Sequence, residues 1–404
     1  MSHTKQTAQN VITILQKYIK NSIWLKVLIV YLLWHLAVGA VGLYSRKELG
    51  SSSPAPTNIE TQIPKLLSPT VAFDSYHYLQ IFENGYGQEK NASPAFFPLF
   101  PALIRVGSIA GINAVAAGFL INLILGYLAC LFLVLLAKDF FKSKSVVNID
   151  ILIIFLVFPS AYFMTAFYTE ALFCSLGFGA FYFARRQNWA LACLLLAGIT
   201  ATRLPGLVFG LAVFVEYLSS KNFDYRRLDR NILWFLLVPT GIALYMVFLN
   251  IRFGDPIFFI NAYDYGWGYQ KFNPNILATV YGQFSWLVTR IFFGNTQLNV
   301  GGNGIVMTLV FLFSWLALVG STGWAIYKKY PASFVVLMAV SAVLFSLNSN
   351  FISSNRYILP MFPIYLLLSQ YFSQKRTALT IYLVGSTMAM TLLLVFFSAG
   401  RWTG

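Results

Sequence analysis

An aspartate, a histidine and a glutamate stand together in TVAFDSYHYLQIFENGYG, residues 70–87, of a chain that holds only 13 acidic residues. Asp74 precedes Tyr76, Leu79, Phe82 and Tyr86, a spacing that predicts an amphipathic helix lying along a membrane surface. Gly85 suits the stop of that helix. Asp74 reads as an N-cap, as a reactive carboxylate, or as both, since a capping aspartate at a bilayer surface still presents its oxygens. Four more charged residues stand out against apolar surroundings: Glu170 in FYTEALF, Arg203 in ATRLPGLVFG, Asp255 in FGDPIFF and Arg356 in SSNRYILPMFP. Each also has a plain reading. Glu170 could be a loop residue near a helix start, Arg203 half of a structural ion pair, Arg356 a cation snorkelling to the interface, Asp255 a turn residue, and His77 a polar surface group. Together they suggest more. An arginine fork matches phosphate oxygens, and a carboxylate can take the proton of an attacking hydroxyl. A cation at membrane depth is costly and so a functional candidate. Such a set suits sugar transfer from a polyprenyl-phosphate donor to a hydroxyl acceptor. No His/Cys cluster has zinc spacing, and no Gly-rich phosphate loop of the Walker or Rossmann type is present.

The elements that must position these residues are membrane helices. Hydrophobic residues make up 58% of the chain and charged ones 10%, with a mean hydropathy of +0.68. A soluble protein carries about 25% charge. Stretches such as IWLKVLIVYLLWHLAVGAVGLY and TALTIYLVGSTMAMTLLLVFFSAG match the roughly 20 residues that cross a hydrocarbon core. The alternation of an outer-membrane barrel is absent. About eleven spans are expected, near 23–44, 114–137, 150–168, 170–184, 189–202, 205–219, 231–250, 304–327, 331–347, 357–372 and 377–398. The fifth and sixth are short and read as a hairpin broken at TRLPG. The first apolar run lacks a small-residue cleavage site and reads as a retained span.

Most of the 28 cations fall in short loops on one side, if the N-terminus is inside. Examples are Lys5, Lys17, Lys20, Lys138, Lys142, Lys144, Arg185, Arg226, Lys328 and Arg376. This bias predicts an N-in, C-out topology, and it explains the net charge of +15 without a nucleic-acid partner. Two long loops, 45–113 and 251–303, then lie outside and are expected to carry amphipathic interface helices, and the chemistry lies with them. The first contains a Ser/Pro stretch, GSSSPAPTN, and later ASPAFFPLFPALIRV, whose prolines argue against regular helix. Cys130, Cys174 and Cys193 lie in expected spans and read as packing residues. The whole of 1–404 reads as one membrane unit, with no separate soluble domain.

FDSYHYLQIFENGYG followed by AFFPLFPALIRV resembles the first-loop signature of the second GPI mannosyltransferase family and its prokaryotic relatives. FPSAYFMTAFYTEALF, ATRLPGLVFG, FGDPIFF and NRYILPMFPIYLLLS extend the resemblance in order, from about residue 70 to 370. The resemblance implies a GT-C-like bundle and a multi-span enzyme that inverts at the sugar and takes a lipid-phosphate-linked donor, most simply mannose. Its catalytic aspartate would be Asp74. Phe73 stands where the family usually has Trp, His77 and Tyr78 stand where it often has Trp-Tyr, and Leu204, Pro205 and Gly206 follow the Thr-Arg pair. His77 and Tyr78 are expected near the sugar or phosphate, with Arg203, Arg356, Glu170 and Asp255 completing the donor site. Expected partners are a polyprenyl-phosphate sugar, a lipid or glycan acceptor and membrane lipids. No catalytic metal is expected, although Glu170 and Asp255 could join Asp74 around an ion. The compact loops favour a prokaryotic cell membrane, with the site on its outer face. A lipid or polysaccharide transporter is the alternative, but it predicts charges midway through spans and inverted repeats.

Overall fold

The structure, a computed structural model, describes residues 22–52, 59, 61–87, 90–109, 111–142, 147–266, 272–293, 304–348 and 350–404. Most of the Ser/Pro stretch and Lys5, Lys17, Lys20 and Lys144 lie outside them. Among the described residues the fold is helical, with one isolated bridge between Phe272 and Asn348 and no strand. We number the longer helices α1 (Ile23–Leu49), α2 (Asp74–Asn84), α3 (Leu99–Ser108), α4 (Ala114–Phe141), α5 (Val147–Leu156), α6 (Glu170–Arg185), α7 (Trp189–Thr200), α8 (Gly206–Ser220), α9 (Thr240–Phe253), α10 (Ile276–Phe293), α11 (Ile305–Tyr327), α12 (Ala332–Ser346), α13 (Phe362–Phe372) and α14 (Arg376–Ser398).

Five stretches are long and apolar enough to cross a bilayer on their own: α1, α4, Arg230–Phe253, α11 and α14. The rest of the bundle is shorter apolar helix, and the chain is a polytopic all-α membrane protein. Polar side chains start several helices: Ser22 caps α1, Asn113 caps α4 through the amides of Val115 and Ala116, and Asn188 caps α7. α4 and α6 pack in the middle of the bundle, and small residues bring the helices close. A Cβ on Gly179 of α6 would lie 3.0 Å from the Phe132 ring of α4.

Three expected spans are interrupted, each near a proline. The run 150–168 is not one helix: α5 ends at Leu156, Pro159 follows, and the chain continues through a 3-10 turn, Ala161–Met164, to Thr169. Proline removes a helical donor and clashes with the preceding turn. The irregular backbone this leaves is tolerated at depth because protein encloses it, and residues 160–175 are all buried. Likewise 231–250 is a 3-10 run, Arg230–Leu237, joined at Pro239 to α9. The run 357–372 becomes a one-turn helix, Ser354–Tyr357, then Pro360 and α13. One helix was not expected. α3 forms despite its prolines because Pro98 is its cap and Pro101 sits in its first turn, where no amide partner is needed. The second long loop, where an interface helix is expected, carries α10. The short hairpin at TRLPG is present as α7 and α8. There a Cβ on Gly206 would come within 2.6 Å of the Ile199 carbonyl oxygen.

The charged groups collect at two poles. At one, Arg185 bridges Asp139 (2.8 Å) and Glu216 (3.3 Å). Ser333 donates to the same glutamate, and the Phe140 and Tyr330 rings meet at 4.9 Å. The other pole gathers the end of α1, the start of α2, the 157–169 turn, the α7–α8 hairpin and the residues before α13. A second, smaller apolar cluster lies there. In it Tyr78, Leu79, Phe96, Phe97, Phe100, Phe167, Tyr245 and Phe258 pack the outer helices onto the bundle.

Candidate active site

Asp74 is the first residue of α2, and the turn before it is strained. Phe73 has φ 51° and ψ −109°, a backbone state that suits glycine. Together with the Ser75 amide bonded to the Ala72 carbonyl (3.1 Å), it forms the first central position of a II′-type turn. Phe73, not Asp74, occupies the N-cap position, and no side chain caps the helix. The capping reading of Asp74 is therefore replaced. Its carboxylate instead accepts from Arg356 Nη1 at 2.8 Å, while its amide donates to the Tyr168 hydroxyl at 3.3 Å. At its other end α2 stops at Gly85 (φ 65°), as expected.

Glu170 opens α6 directly after the irregular turn. Its Oε1 accepts from Arg203 Nη2 at 2.6 Å and from Arg356 Nε at 2.8 Å. Its Oε2 is buried and has no hydrogen-bond partner among the described residues. Arg203 comes from the turn between α7 and α8, and its Nε donates to Thr169 Oγ1 at 2.6 Å. Arg356 comes from the one-turn helix before Pro360 and lies over the rings of Tyr168 (4.5 Å) and Phe163 (5.1 Å). Two carboxylates and two guanidinium groups thus alternate in one linked array. The Asp74 side chain is its most open member, at 20% exposure, and Glu170 its most enclosed, at 1%. Buried charges persist only when paired, and here each guanidinium spans at least two acceptors.

The remaining expected residues divide. Tyr78 is buried against Phe96 and Phe100, with its hydroxyl 3.5 Å from Thr169 Oγ1, so it stands behind the Arg203 contact. Burial, more than the opposing pull of Arg203, pushes the Tyr78 phenol up to about 12. His77 stacks on Phe96 with ring centroids 4.5 Å apart. Burial lowers its imidazole below the usual 6.5, and Asp74 pulls the other way. Asp255 is not brought into the array: it accepts from the Ile257 amide at 3.0 Å and from Asn261 Nδ2 at 2.6 Å, the work of a turn residue. The three carboxylates that could have gathered around an ion therefore do not converge.

Four participants went unnoticed in the sequence. Thr169 and Tyr168 lie inside the quoted FYTEALF, but neutral polar groups in an aromatic run carry little signal. Asn355 precedes Arg356 and is buried, donating to the Thr403 carbonyl at 2.8 Å. Tyr263, from the second long loop, has its phenol raised chiefly by burial and secondarily by the charges and dipoles of Tyr357, Asp74 and Tyr78, against Arg203.

A family model described as Mannosyltransferase (PIG-V) matches residues 15–271, a span that includes Asp74, Glu170 and Arg203 but not Arg356. No curated protein matches the chain. The match covers well over half of the 404 residues, and with a polytopic helical bundle behind it the chain belongs to the mannosyltransferase (PIG-V) family and is a membrane glycosyltransferase.

Proposed function

We propose that the chain moves mannose from a polyprenyl-phosphate-linked donor to a hydroxyl of a lipid or glycan acceptor, with inversion, at the outer face of a prokaryotic cell membrane. The observation that carries this reading is the 2.8 Å contact between Asp74 and Arg356, residues 282 positions apart. It pairs a candidate base with a candidate phosphate ligand at the rim of a membrane bundle. The acceptor oxygen attacks the anomeric carbon. The bond from that carbon to the phosphate oxygen breaks, and its electron pair leaves with the polyprenyl phosphate. The acceptor proton passes to the Asp74 carboxylate, which exchanges its Arg356 contact for the incoming hydroxyl. Arg356 and Arg203 then face the charge growing on the leaving oxygen, where preorganised cations lower the barrier most. One base and one displacement give an inverted product. The arginines supply the charge compensation here, and no step is assigned to a metal. The cation bias of the loops supports the outer face. A transporter would need its charges midway through the spans, whereas these gather at the poles.

The test is purified protein incubated with labelled polyprenyl-phosphate mannose and a panel of lipid and glycan acceptors, with the anomeric configuration of the product read by NMR. Labelled product of inverted configuration supports the reading. An intact donor with every acceptor, or retained configuration, overturns it.

A further inference from the structure

α14 does not simply stop at the site. Gly400, at φ +70°, turns the chain in a Schellman arrangement: its amide donates to the Phe397 carbonyl and the Arg401 amide donates to that of Phe396, at 3.0 and 2.9 Å. The segment that follows, Arg401–Gly404, folds back against the charged array. It is tied at both ends. Where it leaves α14, Ser52 Oγ donates to the carbonyls of Ala399 (3.0 Å) and Gly400 (2.9 Å), and Arg46 Nη1 donates to that of Ser398 (3.1 Å). At the far end, Thr403 Oγ1 and the Tyr162 hydroxyl meet at 2.6 Å, both fully buried. The Thr403 carbonyl accepts from Asn355, and the Gly404 main-chain oxygen accepts from Arg356 Nη1 at 3.1 Å. The fit leaves no slack, since a Cβ on Gly404 would come within 3.0 Å of both Asn355 and the Phe163 ring.

We infer that Arg401–Gly404 is a positioning strap for Arg356. The same nitrogen, Nη1, serves both the Asp74 carboxylate and the Gly404 main-chain oxygen. The strap therefore fixes the direction in which the fork points at Asp74 and, once Asp74 turns to the acceptor, at the donor phosphate. Thr403 acts through its bond to Tyr162, which holds the two main-chain oxygens in place. The segment lies outside the family-matched span 15–271. This role rests on the proposed mannosyl transfer.

The test compares the full chain with Thr403→Val, Thr403→Ser, Arg356→Lys and the Thr403→Val/Arg356→Lys double variant, in both mannose-transfer kinetics and thermal unfolding. Thr403→Val loses one buried hydrogen bond, and its kcat should fall about tenfold with little change in donor KM. Thr403→Ser keeps the hydroxyl and should recover most of that loss. If the strap works through Arg356, the double variant falls by clearly less than the product of the single effects. A multiplicative double effect, or parent-like kcat in Thr403→Val, overturns the inference. Should the parent itself transfer no mannose, the functional reading fails, and the strap is judged on stability. Non-additive losses of Tm in the same cycle then support it, and additive ones reject it.

Discussion

Arg203 and Arg356 do different work with the same fork. Arg203 holds Thr169 and Glu170 through Nε and Nη2, so a lysine there keeps the charge but cannot reach both acceptors. Arg203→Lys should lower turnover by about tenfold, and Arg203→Ala should lower it further, since one preorganised donor at a developing anion is worth about 10²-fold. Equal, parent-like kcat in both variants would remove Arg203 from the site. His77 yields a pH signature. Its folded-state pKa lies below the ordinary 6.5, so the unfolded chain binds the proton first as the pH falls. The stability tied to His77 is full above about 6.5 and declines below it. Thermal unfolding of the parent should therefore weaken from pH 7 to pH 5 more than that of His77→Gln; matching profiles would contradict a lowered imidazole pKa. These charged groups were legible in the sequence because ionisable residues are conspicuous in so apolar a chain. Thr169, Asn355 and Thr403 were not, because a neutral hydroxyl or amide gains its meaning only from what lies opposite.

At the scale of elements, the site depends on places where helices fail. Prolines 159 and 360 end α5 and delay α13, and the short irregular pieces between them carry Tyr168, Thr169 and Arg356. The helical content was legible from apolar run length, and most of the expected limits fall within a few residues of a helix's ends. The interruptions were not, because length alone made continuous helices of runs that proline divides. Asn122 of α4 shows how such a turn is held: its Nδ2 donates to the carbonyls of Ala166 (2.7 Å) and Tyr168 (3.0 Å). The turn into α2 was equally hidden, since nothing about a phenylalanine announces a positive φ. That backbone state costs a non-glycine residue ~1–3 kcal/mol. Phe73→Gly removes the strain and Phe73→Ala retains it, while both lose the same ring contact with Phe397. Phe73→Gly should therefore be at least as stable as Phe73→Ala by thermal unfolding, the reverse of the usual order. A clearly less stable glycine variant would show that the turn is not strained.

At the scale of the molecule, buried charge gathers at two poles. One carries the Asp139–Arg185–Glu216 bridge, and the other carries the array of Asp74, Glu170, Arg203 and Arg356. If the second pole faces outward, a cysteine in place of the exposed Lys90 should react with an impermeant maleimide on intact cells, and one in place of the exposed Lys142 should not. The native Cys130, Cys174 and Cys193 are free and buried, which keeps the background low. The reverse labelling pattern would invert the topology and move the site to the other face. The whole assembly exists, in this reading, to hold one carboxylate at the bilayer edge where a lipid-anchored sugar must sit. The most direct measurement is the turnover of Asp74→Asn with labelled polyprenyl-phosphate mannose, beside its thermal unfolding. Asparagine keeps the size and can still accept from Arg356, yet it cannot take the acceptor proton. Turnover about 10²-fold or more below the parent, in protein that unfolds near the parent temperature, is the expected result. Turnover within a few-fold of the parent, in normally folded protein, would contradict the assignment of Asp74 as the base.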